Sequence, residues 1–321
     1  MTRFSAQKSG VGSLLGMSVA GVLGKTVLGV GAVGAGSLAY ASLYEVNAYV
    51  LRRVEVPILP PGARPIRVLQ IADLHLTPRN HRRIAWVSRL AGLEPDLVID
   101  TGDNLSHPDA VPVVTQALGR LLDKPGVFVW GSNDYYAQSF KNPLTYLTRP
   151  SRMGSAHPEE LPWRDLGAAF GVAGWVDLTH RRLTLEINGT RIGFRGVDDA
   201  HLGRDEYAQV AGPVDHQVEG DVVLGVTHAP YRTVIDAMTY DGCDLVIAGH
   251  THGGQVCVPF YGALVTNCDM DARRVKGLST NDAGGHTSYL HVSAGLGTSP
   301  YAPFRFACRP EATLMTLVPR A

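Results

Sequence analysis

Short, nearly continuous apolar runs recur along the chain beyond residue 60. Such runs are typical of strands that are buried on both faces of a sheet. The segments over residues 81–93 and 109–122 have helical patterns and give β-α-β spacing. The runs that predict strands are Ile66–Ala72, Leu97–Thr101, Val127–Trp130, Val222–Val226 and Asp244–Ala248. The pattern therefore predicts a fold of the α/β class.

A different pattern occupies the N-terminus, where two long uncharged runs are separated by one lysine. Residues 11–24 and 26–44 contain no charged side chain, and Lys25 divides them. The second run is long enough for a membrane-spanning helix, which needs roughly 20 residues. Its glycines weaken a soluble helix but are common where membrane helices pack closely. The pattern favours an uncleaved, single-pass N-terminal membrane helix over a buried helix of the globular domain.

Two points about this segment stay open. A secretory signal is the competing interpretation, because Ala39-Tyr40-Ala41 fits the pattern of a cleavage site and would leave a mature start at Ser42. The side of the membrane is also undetermined, since positive residues flank both ends of the uncharged region. The predicted division is an anchor or signal segment with its juxtamembrane region over residues 1–53, and one folded domain over residues 54–321.

Charge and cysteine content argue against two classes of protein. Lys+Arg 29 and Asp+Glu 29 balance to a formal net charge of zero, so no overall basic field favours nucleic acid. The four cysteines contain no CxxC pair, which disfavours a disulfide framework or a zinc finger. We expect the cysteines to be small apolar core residues.

Polar residues directly follow each of the predicted strands. Because residues beyond the carboxyl ends of parallel strands meet at one edge of a sheet, we expect these side chains to lie together. Carboxylate, amide and imidazole groups suit Mn²⁺, Fe or Zn²⁺ better than a thiolate site would. The candidate metal ligands are Asp73, His75, Asp103, Asn133, His228, His250 and His252. One Asp-x-His after a strand is weak evidence, whereas a set of coordinated strand ends is strong evidence for a metal site.

The same residues form an ordered set of motifs. Asp73-x-His75, Gly102-Asp103, Gly131-Ser132-Asn133-Asp134, His228 and Gly249-His250-x-His252 resemble the motifs of the calcineurin-like metallophosphoesterases. The similarity runs from about residue 66 to about residue 317 and is greatest to the compact bacterial branch, which often carries an N-terminal membrane segment. It implies a four-layer αββα sandwich of two mixed sheets, with a dinuclear metal centre at one edge, and identifies residues 54–321 as the metallophosphoesterase domain.

The resemblance also implies a role for each ligand. One metal ion would be held by Asp73, His75 and His252, and the other by His228 and His250. Asp103 would bridge the two, because a carboxylate oxygen on each cation offsets their mutual repulsion. The expected nucleophile is a hydroxide activated by two divalent metal ions (Mn²⁺, Fe²⁺/Fe³⁺ or Zn²⁺), without a covalent phosphoenzyme. Asp103, Asn133 and His228 are the residues assigned to catalysis.

The third motif departs from the family pattern, which is Gly-Asn-His followed by Asp or Glu. Ser132 stands where the family has its Asn ligand, and Asn133 stands where the family has its His. Either Ser132 ligates weakly or Asn133 supplies the amide oxygen; we favour Asn133, because a neutral hydroxyl is a poorer ligand for a hard metal. The imidazole that helps to protonate the leaving oxygen is absent from its expected place, and such help is typically worth about 10²–10⁴-fold.

Other features have a structural explanation beside a functional one. Asn188-Gly189 predicts a tight hairpin, and residues 198–201 predict a turn with capping carboxylates rather than an active-site rim. Arg305 and Arg309 predict structural ion pairs rather than phosphate contacts. Substrate contact and local packing are equally favoured for Tyr135, Tyr136, Lys141 and Asn142. The remaining histidines, His291 among them, are expected to be ordinary surface or core residues.

The sequence thus predicts a membrane-anchored, metal-dependent phosphohydrolase that acts on a phosphodiester or a pyrophosphate. The membrane segment and the habit of the family make lipid head groups or cell-envelope precursors the expected substrates. The alternative is a catalytically weak binding or scaffold protein of the same fold, which the altered third motif alone supports. A nuclease would share the metal chemistry, but the balanced charge argues against it, and we expect no nucleic-acid partner.

Overall fold

The computed structural model describes residues 29, 31–139 and 158–320. In this part of the chain, two six-stranded sheets are accompanied by one two-stranded sheet. The first sheet contains β1 (Val50–Leu59), β2 (Ile66–Ile71), β3 (Leu97–Asp100), β4 (Gly126–Phe128), β5 (Val176–Asp177) and β14 (Glu311–Pro319). The second sheet contains β6 (Arg181–Ile187), β7 (Thr190–Gly196), β8 (Val222–Val226), β9 (Leu245–Ala248), β12 (Gly277–Ala283) and β13 (His286–Val292). The two-stranded sheet is the hairpin of β10 (Cys257–Val258) and β11 (Gly262–Ala263).

Helices connect the strands of both sheets. Within the described chain beyond residue 44, the α-helices are α1 (His81–Ser88), α2 (Val111–Leu118), α3 (Ser132–Tyr135), α4 (Trp163–Val172) and α5 (Arg232–Tyr240). The shorter 3-10 helices are Glu45–Asn47, Arg89–Leu93, Pro108–Ala110, Gly119–Asp123, Ala200–Leu202, Tyr207–Gln209 and His252–Gly254. The helical patterns predicted over residues 81–93 and 109–122 are confirmed, since an α-helix continues into a 3-10 turn in each.

Three clusters of buried apolar side chains show how the sheets and helices pack in layers. Val68, Ile99 and Leu224 belong to a cluster to which both large sheets contribute, so the sheets pack face to face. A second cluster joins the outer face of the first sheet to α1, α2 and α4. A third joins the outer face of the second sheet to α5. The strands are covered on both faces, which explains their continuous apolar sequences.

Both large sheets are mixed, as predicted. The first has the order β1-β14-β2-β3-β4-β5, and the second has the order β12-β13-β9-β8-β7-β6. Strands β2 to β5 run parallel, whereas β14 is antiparallel to β2 and parallel to β1. Strands β7, β8, β9 and β13 are parallel, with β6 and β12 antiparallel at the two edges. The mixed α/β class with two large mixed sheets is therefore confirmed.

The N-terminal edge of the first sheet begins before the predicted domain boundary. Strand β1 starts at Val50 and runs across the division placed between residues 53 and 54. It does so because its backbone pairs in parallel with β14 over nearly its whole length. Upstream of it, Glu45 is buried and accepts hydrogen bonds from the backbone N–H groups of Ala307 and Cys308. A chain that began at Val54 would therefore lack part of this sheet and a buried carboxylate.

The structure describes most of the predicted membrane helix, namely residue 29 and residues 31–44 of the run over residues 26–44. Residues 31–39 are helical, and they continue into a π-helix over Tyr40–Tyr44. The uncharged run over residues 11–24 and the start of the run over residues 26–44 lie outside the described part of the chain. Among the helices that the structure describes, none combines the length and the apolar character needed to cross a membrane.

Two smaller predictions are confirmed by the fold. Strands β6 and β7 form an antiparallel hairpin whose turn is Asn188-Gly189, with Ile187 opposite Thr190. The four cysteines are free, and Cys243, Cys257 and Cys308 are buried among apolar side chains. The chain therefore owes its stability to its packed layers and not to a disulfide framework.

Candidate metal centre

Four strands bring the predicted ligands to one edge of the two sheets. In the first sheet, neighbouring strands β2 and β3 are followed by an Asp-x-His sequence and a single Asp. In the second sheet, neighbouring strands β8 and β9 are followed by a single His and a His-x-His sequence. The side chains form two groups, and the ligating atoms of each group lie within 4.8 Å of one another. The groups are Asp73, His75 and His252, and Asp103, His228 and His250.

The first group consists of two facing imidazoles and a carboxylate. The Nε2 atoms of His75 and His252 lie 3.2 Å apart, and their rings are stacked with centroids 5.0 Å apart. Asp73 Oδ1 lies 3.9 Å from His252 Nε2. Asp73 and His75 are buried, whereas His252 is partly exposed. This is a compact set of nitrogen and oxygen donors that one divalent cation fits.

The second group has two imidazoles whose outer nitrogens are fixed by backbone carbonyls. His228 Nδ1 donates a hydrogen bond of 2.6 Å to the carbonyl of Thr101. His250 Nε2 lies 3.3 Å from the carbonyl of Asn267. The remaining nitrogens, His228 Nε2 and His250 Nδ1, face each other at 3.2 Å. Such hydrogen bonds to the outer nitrogen set the tautomer and ring orientation that a metal-binding histidine needs.

Asp103 lies between the two groups. Its Oδ2 is 3.5 Å from His75 Nε2 in the first group, and its Oδ1 is 3.5 Å from His228 Nε2 in the second. The backbone N–H of Asn133 donates to Oδ1 at 2.8 Å, which fixes the orientation of the carboxylate. One oxygen of Asp103 therefore faces each group, which is the arrangement expected of a bridging carboxylate.

Burial and neighbouring charges set the protonation states at this edge. Burial lowers the pKa of His75 to about 4. Burial also holds the pKa values of His250 and His252 well below the usual value for histidine. Burial alone would lower the pKa of His228, but the adjacent Asp103 carboxylate outweighs it and raises that pKa. Three of the four imidazoles thus stay neutral, with a lone pair available for a cation.

The backbone at the ligand positions is left-handed. Five non-glycine ligands have positive φ angles: Asp73 (52°), His75 (41°), Asp103 (60°), His250 (67°) and His252 (50°). This region costs roughly 1–2 kcal/mol per residue for side chains other than glycine. Strained backbone of this kind is found mainly where the surrounding structure fixes it at a functional position. The sharp turns after the strands aim these side chains back towards a common point.

One glycine lets the third motif approach the Asp103 carboxylate. A Cβ atom on Gly131 would lie 2.2 Å from Asp103 Oδ1 and 2.6 Å from His228 Cε1. Both distances are too short for a non-bonded contact, and both atoms belong to buried side chains. Gly131 is therefore required for the close approach of α3 to Asp103 and His228.

A comparison with protein families matches the region that contains these residues. The family model of the calcineurin-like phosphoesterases matches residues 66–254, the stretch that contains all the residues of both groups. The chain belongs to the calcineurin-like phosphoesterase family. Phosphodiesterase YaeI of Escherichia coli (strain K12) is 39% identical over 284 residues, which cover 87% of this chain and 92% of that protein. The resemblance inferred from the sequence motifs is thereby confirmed.

Two further similarities extend the comparison. A Bos taurus protein named "Transmembrane protein with metallophosphoesterase domain" is 24% identical over 284 residues, which cover 82% of this chain and 56% of that protein. The solved structure of a 5'-nucleotidase precursor from Thermus thermophilus matches with a TM-score of 0.43 at 12% identity, over 79% of this chain and 55% of that chain. On the match to the family model, this calcineurin-like phosphoesterase is a phosphoester hydrolase of a family that depends on divalent metals, and the described residues contain two candidate metal-binding groups.

The third motif of this phosphoesterase places Asn133 beside the Asp103 carboxylate. The Asn133 side-chain amide lies 2.6 Å from Asp103 Oδ2. Ser132 is buried at the start of α3. The structure thus brings Asn133 together with the other candidate ligands. The amide oxygen and nitrogen are assigned from hydrogen bonds and can exchange places by a flip of the side chain.

The fourth residue of that motif has a role that sequence reasoning missed. The carboxylate of Asp134 accepts hydrogen bonds from the backbone N–H groups of Asp103, Asn104 and Gly131 at 2.7–3.0 Å. Burial raises the pKa of Asp134 to about 6, and the negative charge of Asp103 adds to this effect. Asp134 therefore holds the left-handed loop of Asp103 and the start of α3 in one arrangement.

Two side chains behind the first group, Gln138 and Ser106, were also missed. His75 Nδ1 lies 2.8 Å from Gln138 Nε2 and 3.3 Å from Ser106 Oγ. Arg305 is fully buried and places its guanidinium 3.4 Å from His252 Nδ1. The same guanidinium donates hydrogen bonds to backbone carbonyls, among them those of residues 294 and 297, each at 2.7 Å. The role of Arg305 is structural, as expected, but these partners are carbonyls and not the acidic group of an ion pair.

The turn after β7 reaches the second group. Asp199 accepts a hydrogen bond from the backbone N–H of His201, so the predicted capping carboxylate is confirmed. The His201 ring also lies against His250, with centroids 4.6 Å apart, and its Nδ1 is 3.0 Å from the hydroxyl of Tyr231. The turn is therefore both a capped 3-10 helix and part of the rim beside the second group.

Of the two tyrosines after the third motif, Tyr135 is buried and Tyr136 is partly exposed. Tyr135 is buried, and its ring packs against Trp130 and Trp163 while its hydroxyl donates to Asp198 at 2.8 Å. The Tyr136 hydroxyl accepts a hydrogen bond of 2.7 Å from Arg204. Packing therefore accounts for Tyr135. Lys141 and Asn142 lie outside the described residues.

Proposed function

We propose that this phosphoesterase hydrolyses phosphodiesters or pyrophosphates at a dinuclear metal centre. The observation that supports the proposal most strongly is the position of Asp103, with one carboxylate oxygen 3.5 Å from an imidazole nitrogen of each group. A protein that bound a single cation would have no need for a buried carboxylate between two separate donor sets. The proposal concerns the number of cations and the class of substrate.

The donor set fits two divalent cations. Each group joins one carboxylate to two imidazoles, a combination that suits Mn²⁺, Fe or Zn²⁺. We assign Asp73, His75 and His252 to one ion, and His228 and His250 to the other, with Asp103 contacting both and Asn133 adding an amide oxygen. When bound, two such cations polarise a phosphoryl oxygen and lower the pKa of water, which generates a nucleophile near neutral pH.

The protein's own residues supply orientation and exclude water. The Thr101 carbonyl holds His228 with its Nε2 turned towards Asp103, and the backbone N–H of Asn133 holds the Asp103 carboxylate. His228 and Asp103 are buried, so their charges interact through a medium of low dielectric constant. These groups are positioned before a substrate arrives, and such preorganisation is a large part of enzymatic rate enhancement.

The substrate class follows from the altered third motif. Asn133 cannot donate a proton as an imidazolium does, and general acid help is worth about 10²–10⁴-fold. A phosphate or aryloxide leaving group is a weaker base than an alkoxide and needs less of this help. We therefore propose that pyrophosphates, or diesters with a good leaving group, are better substrates than simple alkyl monoesters.

Membrane association is a second part of the proposal. The uncharged run over residues 26–44 is of sufficient length for one membrane span, and a relative is named as a transmembrane protein. A single-pass anchor would place the hydrolase next to phosphate esters of lipids or of cell-envelope precursors. This part rests on sequence and on location, and the chemistry of the metal centre does not depend on it.

Hydrolysis of bis(p-nitrophenyl) phosphate and p-nitrophenyl phosphate tests the proposed reaction. The full chain is stripped of metal, Mn²⁺ is added back, and turnover and bound metal are measured. Asp103→Asn keeps the size of the side chain but removes the charge that faces both groups. We expect it to bind less metal and to lose at least about 10³-fold in turnover, because it removes a group that acts on both cations.

The outcomes separate the possible functions. Metal-dependent turnover that is lost in Asp103→Asn supports the dinuclear mechanism, and the preferred ester distinguishes a diesterase from a monoesterase. Full activity of Asp103→Asn would contradict the bridging role. Bound metal without turnover of either ester would favour a binding or scaffold function for this member of the family.

A further inference from the structure

Exposed apolar side chains are concentrated in three stretches of the chain. Of the thirteen large hydrophobic side chains that are exposed in the described residues, ten belong to residues 31–44, residues 256–264 and Tyr301. At the turn between β10 and β11, Phe260 is 110% exposed and Tyr261 is 75% exposed. Residues 31–44, 255–268 and 292–304 contain no charged side chain. Solvent-exposed apolar clusters of this kind usually mark an interaction surface.

Contacts with Phe306 join these stretches into one surface. The ring of Tyr40 packs edge-on against the ring of Phe306, with centroids 6.2 Å apart. The backbone of Phe306 forms a parallel bridge with Val256, which precedes β10. The Gln255 side chain donates a hydrogen bond of 2.8 Å to the carbonyl of Ala302, next to Tyr301. We call the surface formed by residues 31–44, residues 256–264 and Tyr301 the apolar face.

The sequence on either side of the apolar face indicates what covers it. On its N-terminal side, residues 31–44 continue the uncharged run that begins at Thr26. On its other side, exposed arginines follow within ten residues of Tyr44, at Arg52 and Arg53. Arg309 is also exposed, and it donates a hydrogen bond of 2.7 Å to the carbonyl of Ala48. An apolar stretch bordered by aromatic and basic residues is typical of contact with an anionic bilayer.

We propose that the apolar face contacts the lipid bilayer, with the turn of Phe260 and Tyr261 inserted at the boundary between head groups and acyl chains. Tyrosine suits this boundary because its ring is apolar and its hydroxyl stays hydrated. A protruding turn of two aromatic residues enters a fluid surface without needing a complementary shape. The uncharged run that leads into the same face favours lipid over a second copy of the chain.

The apolar face borders the first group of candidate ligands. The β10–β11 hairpin begins five residues after His252, and Arg305, next to Phe306, places its guanidinium 3.4 Å from His252 Nδ1. A consequence for substrates rests on the function proposed above: a bilayer against the apolar face would bring the phosphate esters of lipid head groups towards the first group. The lipid contact itself does not depend on catalysis.

Depth-dependent quenching tests the contact in the full chain. Phe260→Trp is mixed with vesicles of phosphatidylcholine and phosphatidylglycerol in equal amounts, with and without brominated acyl chains. Val172→Trp is the matched control, because Val172 is 92% exposed and lies on α4, away from the apolar face. The wild-type chain gives the signal of the native tryptophans. We expect the Trp at position 260 to shift its emission to shorter wavelength and to be quenched by the brominated lipid, and the Trp at position 172 to do neither.

Two results would overturn the lipid contact. One is equal quenching at positions 260 and 172 in a chain that binds the vesicles. The other is a blue shift of Phe260→Trp without vesicles that grows with protein concentration, which would mean that a second copy covers the face. Turnover of the soluble diester by Phe260→Trp is measured separately. Quenching at position 260 without turnover supports the lipid contact and counts against the proposed reaction. Turnover with equal quenching at positions 260 and 172 supports the proposed reaction and contradicts the lipid contact.

Discussion

Five candidate ligands have backbone in the left-handed region, which shows how much of the candidate centre is fixed by its surroundings. At roughly 1–2 kcal/mol each, these backbone conformations together cost on the order of 5–10 kcal/mol. Backbone hydrogen bonds to buried carboxyl groups offset part of that cost, each by about 0.5–1.5 kcal/mol. The Asp73 carboxylate accepts from the backbone N–H of His250, and the Asp134 carboxylate accepts from that of Asp103. A ligand side chain is thus held in place through the backbone of the loop that carries it.

Gly131→Ala tests the close approach of α3 to the Asp103 carboxylate. The added methyl group would lie 2.2 Å from Asp103 Oδ1, so either the carboxylate or α3 must move. We expect reduced metal content, at least about 10²-fold lower turnover and a stability loss of about 1–3 kcal/mol, which is typical of overpacking. Metal analysis, kinetics on the aryl diester and urea unfolding measure the three effects.

Gly92→Ala is the matched control for this variant. No heavy atom lies within 4 Å of a Cβ built at Gly92, so the same substitution there should leave metal content and turnover unchanged. If Gly131→Ala binds metal and turns over substrate as the wild type does, the space between α3 and Asp103 is not needed.

At the scale of the elements, a buried polar link connects the two sheets. The Gln70 side chain of β2 donates a hydrogen bond of 2.8 Å to the carbonyl of Ala248 at the end of β9. Its Oε1 then accepts from His291 Nδ1 on β13 at 2.6 Å. Both side chains are buried, and an unpaired polar group at this place costs about 1–3 kcal/mol. The link aligns β2 with β9, the strands that precede the two histidine-containing motifs.

This link predicts acid sensitivity of the metal-free protein. Burial lowers the pKa of His291 to about 4 from an ordinary value of 6.5. Since the unfolded chain takes up the proton first, stability is complete above about pH 6.5 and decreases as the pH falls towards about 4. A difference of this size corresponds to about 3 kcal/mol. Urea titrations of the metal-free chain across this pH range measure the loss.

His291→Gln separates this residue from the other buried histidines. Glutamine keeps a donor for Gln70 but does not titrate, so we expect the variant to lose less stability than the wild type over the same pH range. An identical pH dependence in the two proteins would mean that His291 is protonated equally easily in the folded and unfolded chains.

Local sequence patterns were sufficient to predict the strands that carry the candidate ligands. Strands β2, β3, β8 and β9 could be predicted from continuous apolar runs, and the ligands from the residues directly after them, because both signals are local. Strand β7 alternates polar and apolar residues, so its end was not recognised as part of the same edge, and residues 198–201 were predicted to be a turn rather than part of the rim. Contacts such as Gln138 with His75, which are 63 residues apart, have no local signal at all.

At the scale of the whole molecule, Glu45 ties the N-terminal helical residues to the segment behind the metal centre. Its carboxylate is buried and accepts from the backbone N–H groups of Ala307 and Cys308 at 3.0 and 2.5 Å. Arg305 precedes these residues and reaches His252. Glu45 and Cys308 are 263 positions apart along the chain, so no local sequence pattern could reveal this connection to a candidate ligand.

Glu45→Ala tests this long-range contact between Glu45 and the backbone of residues 307 and 308. The substitution leaves two backbone N–H groups without their acceptor, and each costs about 1–3 kcal/mol. We expect a stability loss of about 2–5 kcal/mol and faster hydrogen exchange at residues 305–309. Glu55→Ala is the control, because Glu55 lies exposed on β1. Unchanged exchange at residues 305–309 in Glu45→Ala would show that another contact holds this segment.

The position of β14 between β1 and β2 has a consequence for the order in which the first sheet assembles during synthesis. Arg52 and its partner Glu311 are 259 positions apart, so β1 cannot join the sheet until the ribosome has synthesised β14. Contacts at such separation form late and expose unpaired strands meanwhile. The uncharged run before β1, and β1 itself, thus emerge from the ribosome long before β14 does. During translation they are accessible to the cellular factors that bind nascent chains, before the finished sheet takes up β1.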